Sequence, residues 1–202
     1  MRRHRHLAAL VLLFLAAAAL AAACGSGQRR EEATPAVEVT AQPTPFVYPT
    51  VNPGIPLAEY KSPNKGYSVS YPEGWEVVID GGPVDTFITR TDEGKVLAQF
   101  TVACFQAKEG WTPETLMTQD AKAASLHGGF QTTPATEVEL GGLTAKMRRY
   151  SLNAGGLAIE HVVAYLIRDK CGWRIGLNTY GAGNLNAFIP LFDRLLASFR
   201  FQ

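Results

Sequence analysis

Alternation of apolar and polar residues with a period of two is the feature that most limits how this chain can fold. Tyr67, Val69 and Tyr71 alternate with serines, and the apolar side chains of residues 95–106 again share one parity. Successive side chains of a β-strand point to opposite faces of a sheet, so the pattern predicts strands with one buried face. Cys104 has the inward parity and is expected to be buried.

The same alternation returns several times between glycine-rich turns. It predicts further strands at residues 75–79, 84–90, 138–140, 144–152, 158–168 and 173–179. The first two of these, with the strand at residues 67–71, indicate a meander. Residues 158–168 are apolar on both parities and precede a tight turn, so they predict one arm of a central antiparallel hairpin.

Two segments have helical spacing instead. Thr112, Pro113 and Glu114 stand in the order of an N-cap, a first-turn proline and an early acid, and the predicted helix ends near Gly128. Residues 185–199 form an amphipathic C-terminal helix that must cover a sheet. Strands grouped around two helices, without βαβ alternation, indicate an α+β fold with an antiparallel sheet.

Residues 1–23 have the composition of a secretory leader, with early arginines, an apolar run and small residues before Cys24. Leu20-Ala21-Ala22-Ala23-Cys24 resembles the lipobox of bacterial lipoproteins, which most often has leucine where Ala21 stands. The resemblance implies a diacylglycerol thioether on Cys24 and an extracytoplasmic protein anchored to the outer leaflet of the cell membrane. An uncleaved membrane helix is the alternative, because the apolar run approaches the roughly 20 residues that a span needs.

Residues 24–57 read as a lipid-anchored linker, because prolines recur there and no hydrophobic period survives. Proline fixes φ and removes backbone donors, so the segment predicts an extended spacer. Residues 58–202 have the size of one domain. Three of the 19 basic residues lie in the leader, which leaves 16 against 18 acidic ones and argues against a nucleic-acid partner.

One stretch of the domain has a family resemblance. Gly66-Tyr67-Ser68-Val69-Ser70-Tyr71-Pro72 with Gly74-Trp75, and the closing helix ending at Ser198-Phe199, resemble the PsbP and Mog1-like superfamily over about residues 60–202. The resemblance implies a twisted antiparallel β-sheet sandwiched by helices, in a family better known for binding partners than for catalysis. The same residues are aromatic packers and turn formers, so core packing alone also explains them.

Residues with chemistry form no recognised catalytic, cofactor or metal motif. Cys104 and Cys171 could form a disulfide outside the cytoplasm or remain two separate buried thiols. His127 and His161 lack metal-ligand spacing, and the loop from Gly181 to Asn184 reads as a strand-to-helix connection. Six basic residues could gather at one end of the sheet or lie apart as solvated charges: Lys146, Arg148, Arg149, Arg168, Lys170 and Arg174.

These observations predict a protein that is not an enzyme. We expect a non-catalytic binding or assembly module for an envelope protein or small ligand, without a cofactor, tethered to the membrane through Cys24. The alternative is an envelope hydrolase with an unrecognised active site, which predicts a cleft with convergent, perturbed titratable groups. A role in photosystem assembly follows only from the family resemblance and would require a photosynthetic host.

Overall fold

A computed structural model describes residues 51–79 and 81–202, so the predicted leader, Cys24 and most of the predicted linker lie outside the described residues. Eleven strands and two helices are assigned within the described range. They are β1 (Leu57–Lys61), β2 (Tyr67–Pro72), β3 (Glu76–Ile79), β4 (Val84–Arg90), β5 (Val96–Gln106), α1 (Pro113–Ala124), β6 (Gly128–Thr132), β7 (Thr136–Leu140), β8 (Leu143–Ala154), β9 (Leu157–Arg168), β10 (Cys171–Tyr180), α2 (Leu185–Ser198) and β11 (Arg200–Phe201).

Eight antiparallel strands form the main sheet, in the order β3-β4-β5-β10-β9-β8-β6, with β7 also paired to β8. The predicted central hairpin of β9 and β10 is confirmed. The predicted meander was wrong at its first strand, because β2 pairs with β1 and β11 in a separate three-stranded sheet. Sequence parity identifies a strand's buried face, whereas its neighbours depend on contacts between distant parts of the chain.

The segment after α1 differs from the prediction. The helix ends at Ala124 with Ser125 as its C-cap, and Gly128–Thr132 then forms an edge strand paired with β8. This strand is almost wholly exposed, so it carries no hydrophobic alternation that could reveal it. The start of helix α1 is as predicted, because Thr112 and Thr115 form a reciprocal capping box around Pro113.

The helices cover opposite faces of the main sheet. On one face, Val162, Ala164 and Leu166 of β9 belong to the larger core, which α2 closes. On the other, Val163 and Tyr165 belong to a smaller core beneath α1. Alternate residues of β9 therefore pack into different cores, as predicted from its apolar residues at both odd and even positions.

Aromatic side chains fill the larger core. Tyr67 of β2 and Phe199, just after α2, stack with ring centroids 5.2 Å apart, and Phe87 and Phe100 lie 5.4 Å apart on neighbouring strands. Large aromatic rings bury much apolar area each, so this cluster joins the small sheet to the main one.

Residues 51–57 fall within the predicted linker but lie against the domain. Val51 and Ile55 pack on the larger core, and Arg194 of α2 donates to the backbone oxygens of Pro53 and Ile55. The expected unpacked spacer therefore does not extend through these residues. Their apolar side chains and free backbone acceptors explain the contact.

Candidate functional site

The two cysteines lie on neighbouring strands at one end of the main sheet. Cys104 of β5 is paired with Trp173 of β10. Cys171 lies two residues before Trp173 and therefore on the same face of the sheet. Their Cα atoms are 5.6 Å apart and the two sulfur atoms are joined as a disulfide. Cys104 was expected to be buried, but it is only half-buried because one side of it borders a cavity.

This cavity, called here the disulfide pocket, has a volume of about 470 Å³. That volume lies in the range of pockets that bind small molecules, roughly 300–1,000 Å³. Its walls come from three turns, the cysteine pair and the last strand. The residues that line it include Lys65, Gly66, Cys104, Arg168, Cys171, Trp173 and Phe201.

Lys65 is held at the pocket by a buried carboxylate. Its Nζ donates to Oδ1 of Asp85 at 2.6 Å, and Asp85 is fully buried. Tyr67 Oη and Ser62 Oγ donate to the other carboxylate oxygen at 2.6 and 3.0 Å. These four residues, called the Asp85 network, fix the β1–β2 turn against β4.

The number of donors decides the protonation of this network. Burial by itself raises the pKa of Asp85, but hydrogen bonds from Lys65, Tyr67 and Ser62 outweigh it and hold the pKa below its ordinary value. Burial, followed by its bond to Asp85, raises the pKa of Tyr67. Asp85 is therefore an ionised acceptor and Tyr67 a neutral donor.

The remaining walls are aromatic. The rings of Trp173 and Phe201 meet edge to face, with centroids 5.2 Å apart. The guanidinium carbon of Arg168 lies 4.4 Å from the centre of the Phe201 ring, and its Nε donates to Asp169. Trp173 is 4% exposed, and its Nε1 is buried without a hydrogen-bond partner among the described residues.

A second polar cluster, called the Asp120 network, lies under α1 on the opposite face of the main sheet. Tyr165 Oη donates to Asp120 at 2.7 Å and lies 3.1 Å from Tyr150 Oη, while Arg174 Nη2 contacts the other Asp120 oxygen at 2.9 Å. His161 packs against the Tyr150 ring at 5.0 Å. The four elements α1, β8, β9 and β10 each contribute to this cluster.

The titratable groups of this second network are perturbed mainly by burial. Burial raises the pKa of Asp120 above its ordinary value, and Arg174 and Tyr165 lower it without cancelling that effect. Burial also raises the pKa of Tyr165 and lowers that of His161. The groups direct their hydrogen bonds to one another, which is typical of a structural network.

The six basic residues that could gather at one end of the sheet or lie apart are split between its two faces. Arg168 lines the disulfide pocket, and Arg149 on the α2 face donates to Asn186. Arg174 pairs with Asp120 under α1, and Lys146 pairs with Glu137 on the neighbouring strand. Lys170 is exposed in the β9–β10 turn. Arg148 lies opposite Val163 of β9, on the α1 side of the sheet, with its Nε buried. The six residues therefore form no single basic surface.

The predicted strand-to-helix connection at Gly181 is confirmed, because β10 ends at Tyr180 and α2 begins at Leu185. Glu160 accepts a hydrogen bond from the backbone N–H of Leu185, so the protein's own carboxylate occupies the start of this helix. Of the two histidines among the described residues, His127 is exposed and His161 half-buried.

Among the described residues, no group of three or more His, Cys, Asp or Glu side chains could hold a metal ion. In the same part of the chain, no helix combines the length and apolar character needed to cross a membrane.

Sequence reasoning missed Lys65, Asp85 and Asp120. One signal was available for Asp85, because it shares the parity of Phe87 on β4, and a carboxylate at an inward position requires partners. Lys65 lies in a turn and Asp120 on a weakly amphipathic helix, so neither is distinguished by its local sequence. Trp173 begins the strand predicted at residues 173–179, and its place at the pocket depends on the tertiary fold.

No family model and no curated protein matches the sequence. Solved structures do match the fold. Cyanobacterial PsbP (CyanoP) from Synechocystis sp. PCC 6803 aligns with a TM-score of 0.54 at 18% identity, over 72% of this chain and 92% of that one. The Ran-binding protein Mog1p from Saccharomyces cerevisiae aligns with a TM-score of 0.55 at 11% identity, over 73% and 96% of the two chains.

These similarities define the class of the domain. It is an antiparallel, sheet-dominated α+β domain with two helices and the PsbP/Mog1-like fold. The resemblance inferred from Gly66 to Trp75 is therefore confirmed for the fold. At these identities the comparison establishes architecture and leaves function to the site.

Proposed function

We propose that the protein is a membrane-tethered, non-catalytic binding module of the cell envelope. In this proposal a diacylglyceryl group on Cys24 anchors the chain to the outer leaflet of the cell membrane. The folded domain presents the disulfide pocket to a small ligand or to a segment of an envelope protein. The prolines between Cys24 and residue 51 would let the domain stand away from the bilayer.

The observation that carries the proposal is the disulfide pocket itself. It combines aromatic walls with a few polar groups from separate turns, which is the usual composition of a ligand site. Lys65 and Arg168 are each held in place, by Asp85 and by the Phe201 ring respectively. A site whose polar groups are fixed before binding loses less conformational entropy when a ligand arrives.

The Asp120 network supports a non-catalytic role in preference to the hydrolase alternative. It holds the convergent, perturbed titratable groups that a hydrolase would need, but Tyr165 and Arg174 already occupy both oxygens of Asp120. His161 Nε2 is buried without a hydrogen-bond partner among the described residues, so no nucleophile is paired with it there. These contacts favour stabilisation of α1 over bond cleavage.

Intact-mass analysis of the membrane-extracted protein tests the anchor. We expect a mature chain that begins at a diacylglyceryl-modified Cys24, and a Cys24→Ala variant that is released or retained as precursor. An unmodified chain beginning at Met1 would contradict the lipoprotein proposal.

Site-specific photo-cross-linking in whole cells tests the binding role. A photoreactive phenylalanine replaces Asn64, which is exposed at the pocket, or Glu93, which is exposed in the β4–β5 turn. The register puts Glu93 at the opposite end of β4 and β5 from the pocket. We expect adducts from position 64 alone, and equal labelling from both positions would contradict a specific site.

A further inference from the structure

The chemistry of the disulfide pocket narrows the class of ligand it can take, and the first indication comes from Trp173. Its side chain lines the pocket and is buried against Tyr67, Phe199 and Phe201. Its indole N–H can only donate a hydrogen bond, and no acceptor among the described residues reaches it. Because this N–H is buried from solvent, Trp173 offers a ligand the surface of its ring.

The two cations of the pocket, Lys65 and Arg168, also have N–H donors that lack an acceptor in the described part of the chain. Lys65 donates one of its three ammonium hydrogens to Asp85, and no other acceptor within the described range bonds to it. Arg168 uses Nε for Asp169, and neither of its Nη groups is hydrogen-bonded there. A guanidinium presents its donors in a planar fork that matches an oxyanion.

The charge of Asp85 does not cancel this excess of donors. Ser62 and Tyr67 also donate to Asp85, so its carboxylate is shared among three donors and does not depend on Lys65 alone. Asp85 is fully buried beneath the turn, whereas Lys65 lines the pocket. Asp169 also lines the pocket, but its side chain is mostly exposed and contacts Arg168 through Nε alone, which leaves the Nη groups available.

The apolar part of the pocket is flat. Trp173 and Phe201 provide ring surfaces, and the Cys104–Cys171 disulfide provides a polarisable apolar wall between the strands. Aromatic rings meet other flat groups favourably in offset or edge-on contact. A planar substituent therefore fits these surfaces better than a branched chain.

We propose that the disulfide pocket binds a small molecule in which an oxyanion, a carboxylate or a phosphate, is joined to a flat apolar group. Arg168 and Lys65 bind the oxyanion, and the rings and the disulfide contact its apolar part. This assignment rests on the proposed binding function and specifies its ligand class.

Nuclear magnetic resonance of the ¹⁵N-labelled domain tests the assignment directly. The chain has three tryptophans, so Trp75 and Trp111 serve as internal controls, and a Trp173→Phe variant identifies the third indole signal. Benzoate and phenyl phosphate are titrated as probes, with benzyl alcohol as the neutral analogue. We expect saturable movement of the Trp173 signal with at least one anionic probe, and at least tenfold weaker binding of benzyl alcohol.

Two variants separate the oxyanion contact from general binding. Arg168→Gln removes the charge at the pocket and should weaken binding of the anionic probe about tenfold. Arg90→Gln removes an equivalent exposed charge at the far end of β4 and should leave binding unchanged.

The outcomes distinguish this inference from the proposed function. A preference for benzoate or for phenyl phosphate supports it and identifies the oxyanion. Benzyl alcohol binding as tightly as both anions, with no effect of Arg168→Gln, would overturn the oxyanion assignment and leave a binding pocket. Absence of any shift would also overturn the assignment, whereas the binding function itself fails only if photo-cross-linking from position 64 gives no specific adduct.

Discussion

The two faces of the main sheet each hold one carboxylate between a tyrosine and a cation, yet the pKa values of these carboxylates shift in opposite directions. Asp85, at the pocket, is fully buried and accepts from Lys65, Tyr67 and Ser62, and its pKa is lowered. Asp120, under α1, is bound by Tyr165 and Arg174, and its pKa is raised.

The difference shows that a cation beside a carboxylate is not enough to lower its pKa, because the balance between desolvation and all of its partners decides the direction of the shift. Three donors more than offset the desolvation of Asp85, whereas two do not offset that of Asp120. The pocket end is therefore held by an ionised network. On the α1 face, the charge of Asp120 adds no stability, because its charged form is disfavoured.

Removing the disulfide should have the largest effect on the pocket end. The cysteines are 67 residues apart, and the chain-entropy relation gives a loss of about 4 kcal/mol for Cys104→Ala/Cys171→Ala in urea unfolding. Wild-type protein under reducing conditions should match the variant. Alkylation of both thiols without a reductant would show that the bond does not form.

Neutralising each carboxylate compares the two networks directly. Asp85→Asn leaves a buried lysine without its anion and should cost about 3 kcal/mol of unfolding free energy. Asp120→Asn replaces an acid whose charged form is already disfavoured, so it should cost about 1 kcal/mol or less. Equal losses in urea unfolding would break the comparison.

The tyrosines provide a smaller and more conservative test. Tyr67→Phe deletes a donor to an ionised, fully buried acceptor and should cost about 2 kcal/mol. Tyr165→Phe deletes the corresponding donor to Asp120 and should cost about 1 kcal/mol, because that carboxylate is partly exposed. A larger loss for Tyr165→Phe would show that its contact with Tyr150 matters more than its bond to Asp120.

The pH dependence should be the smallest effect and differ in sign. Stabilisation from Asp85 is present above its unfolded pKa of about 3.9 and is lost as the pH falls through the lower folded pKa. For Asp120 the folded pKa is the higher one, so wild type loses stability relative to Asp120→Asn as the pH rises from about 3.9 through that value.

Urea unfolding between pH 3 and pH 7 measures both differences. As the pH falls from 7 to 3, the difference in unfolding free energy between wild type and Asp85→Asn should narrow. Over the same range, the unfolding free energy of wild type should rise relative to that of Asp120→Asn. Parallel curves for all three proteins would contradict the opposite pKa directions.

The local sequence predicts elements better than it predicts their partners. The order Thr112-Pro113-Glu114 and the parity of β5 and β10 identified a helix start and two strand faces correctly. Strand β6 was missed because an exposed edge strand needs no apolar alternation. Two of the candidate pocket's residues, Cys104 and Cys171, were recognised from the expected compartment, but Lys65 and Trp173 carry no local signal of a site.

Sequence alone determined the α+β class, the two helices and the parity of the long strands, because hydrophobic period and capping act within a few residues. Tertiary structure decided which strands are neighbours, which carboxylate has three donors and which side chains line the disulfide pocket. Lys65 and Asp85 are 20 residues apart, and Tyr165 and Asp120 are 45 apart. Contacts over such separations depend on how whole strands pair and pack, which local side-chain patterns leave open.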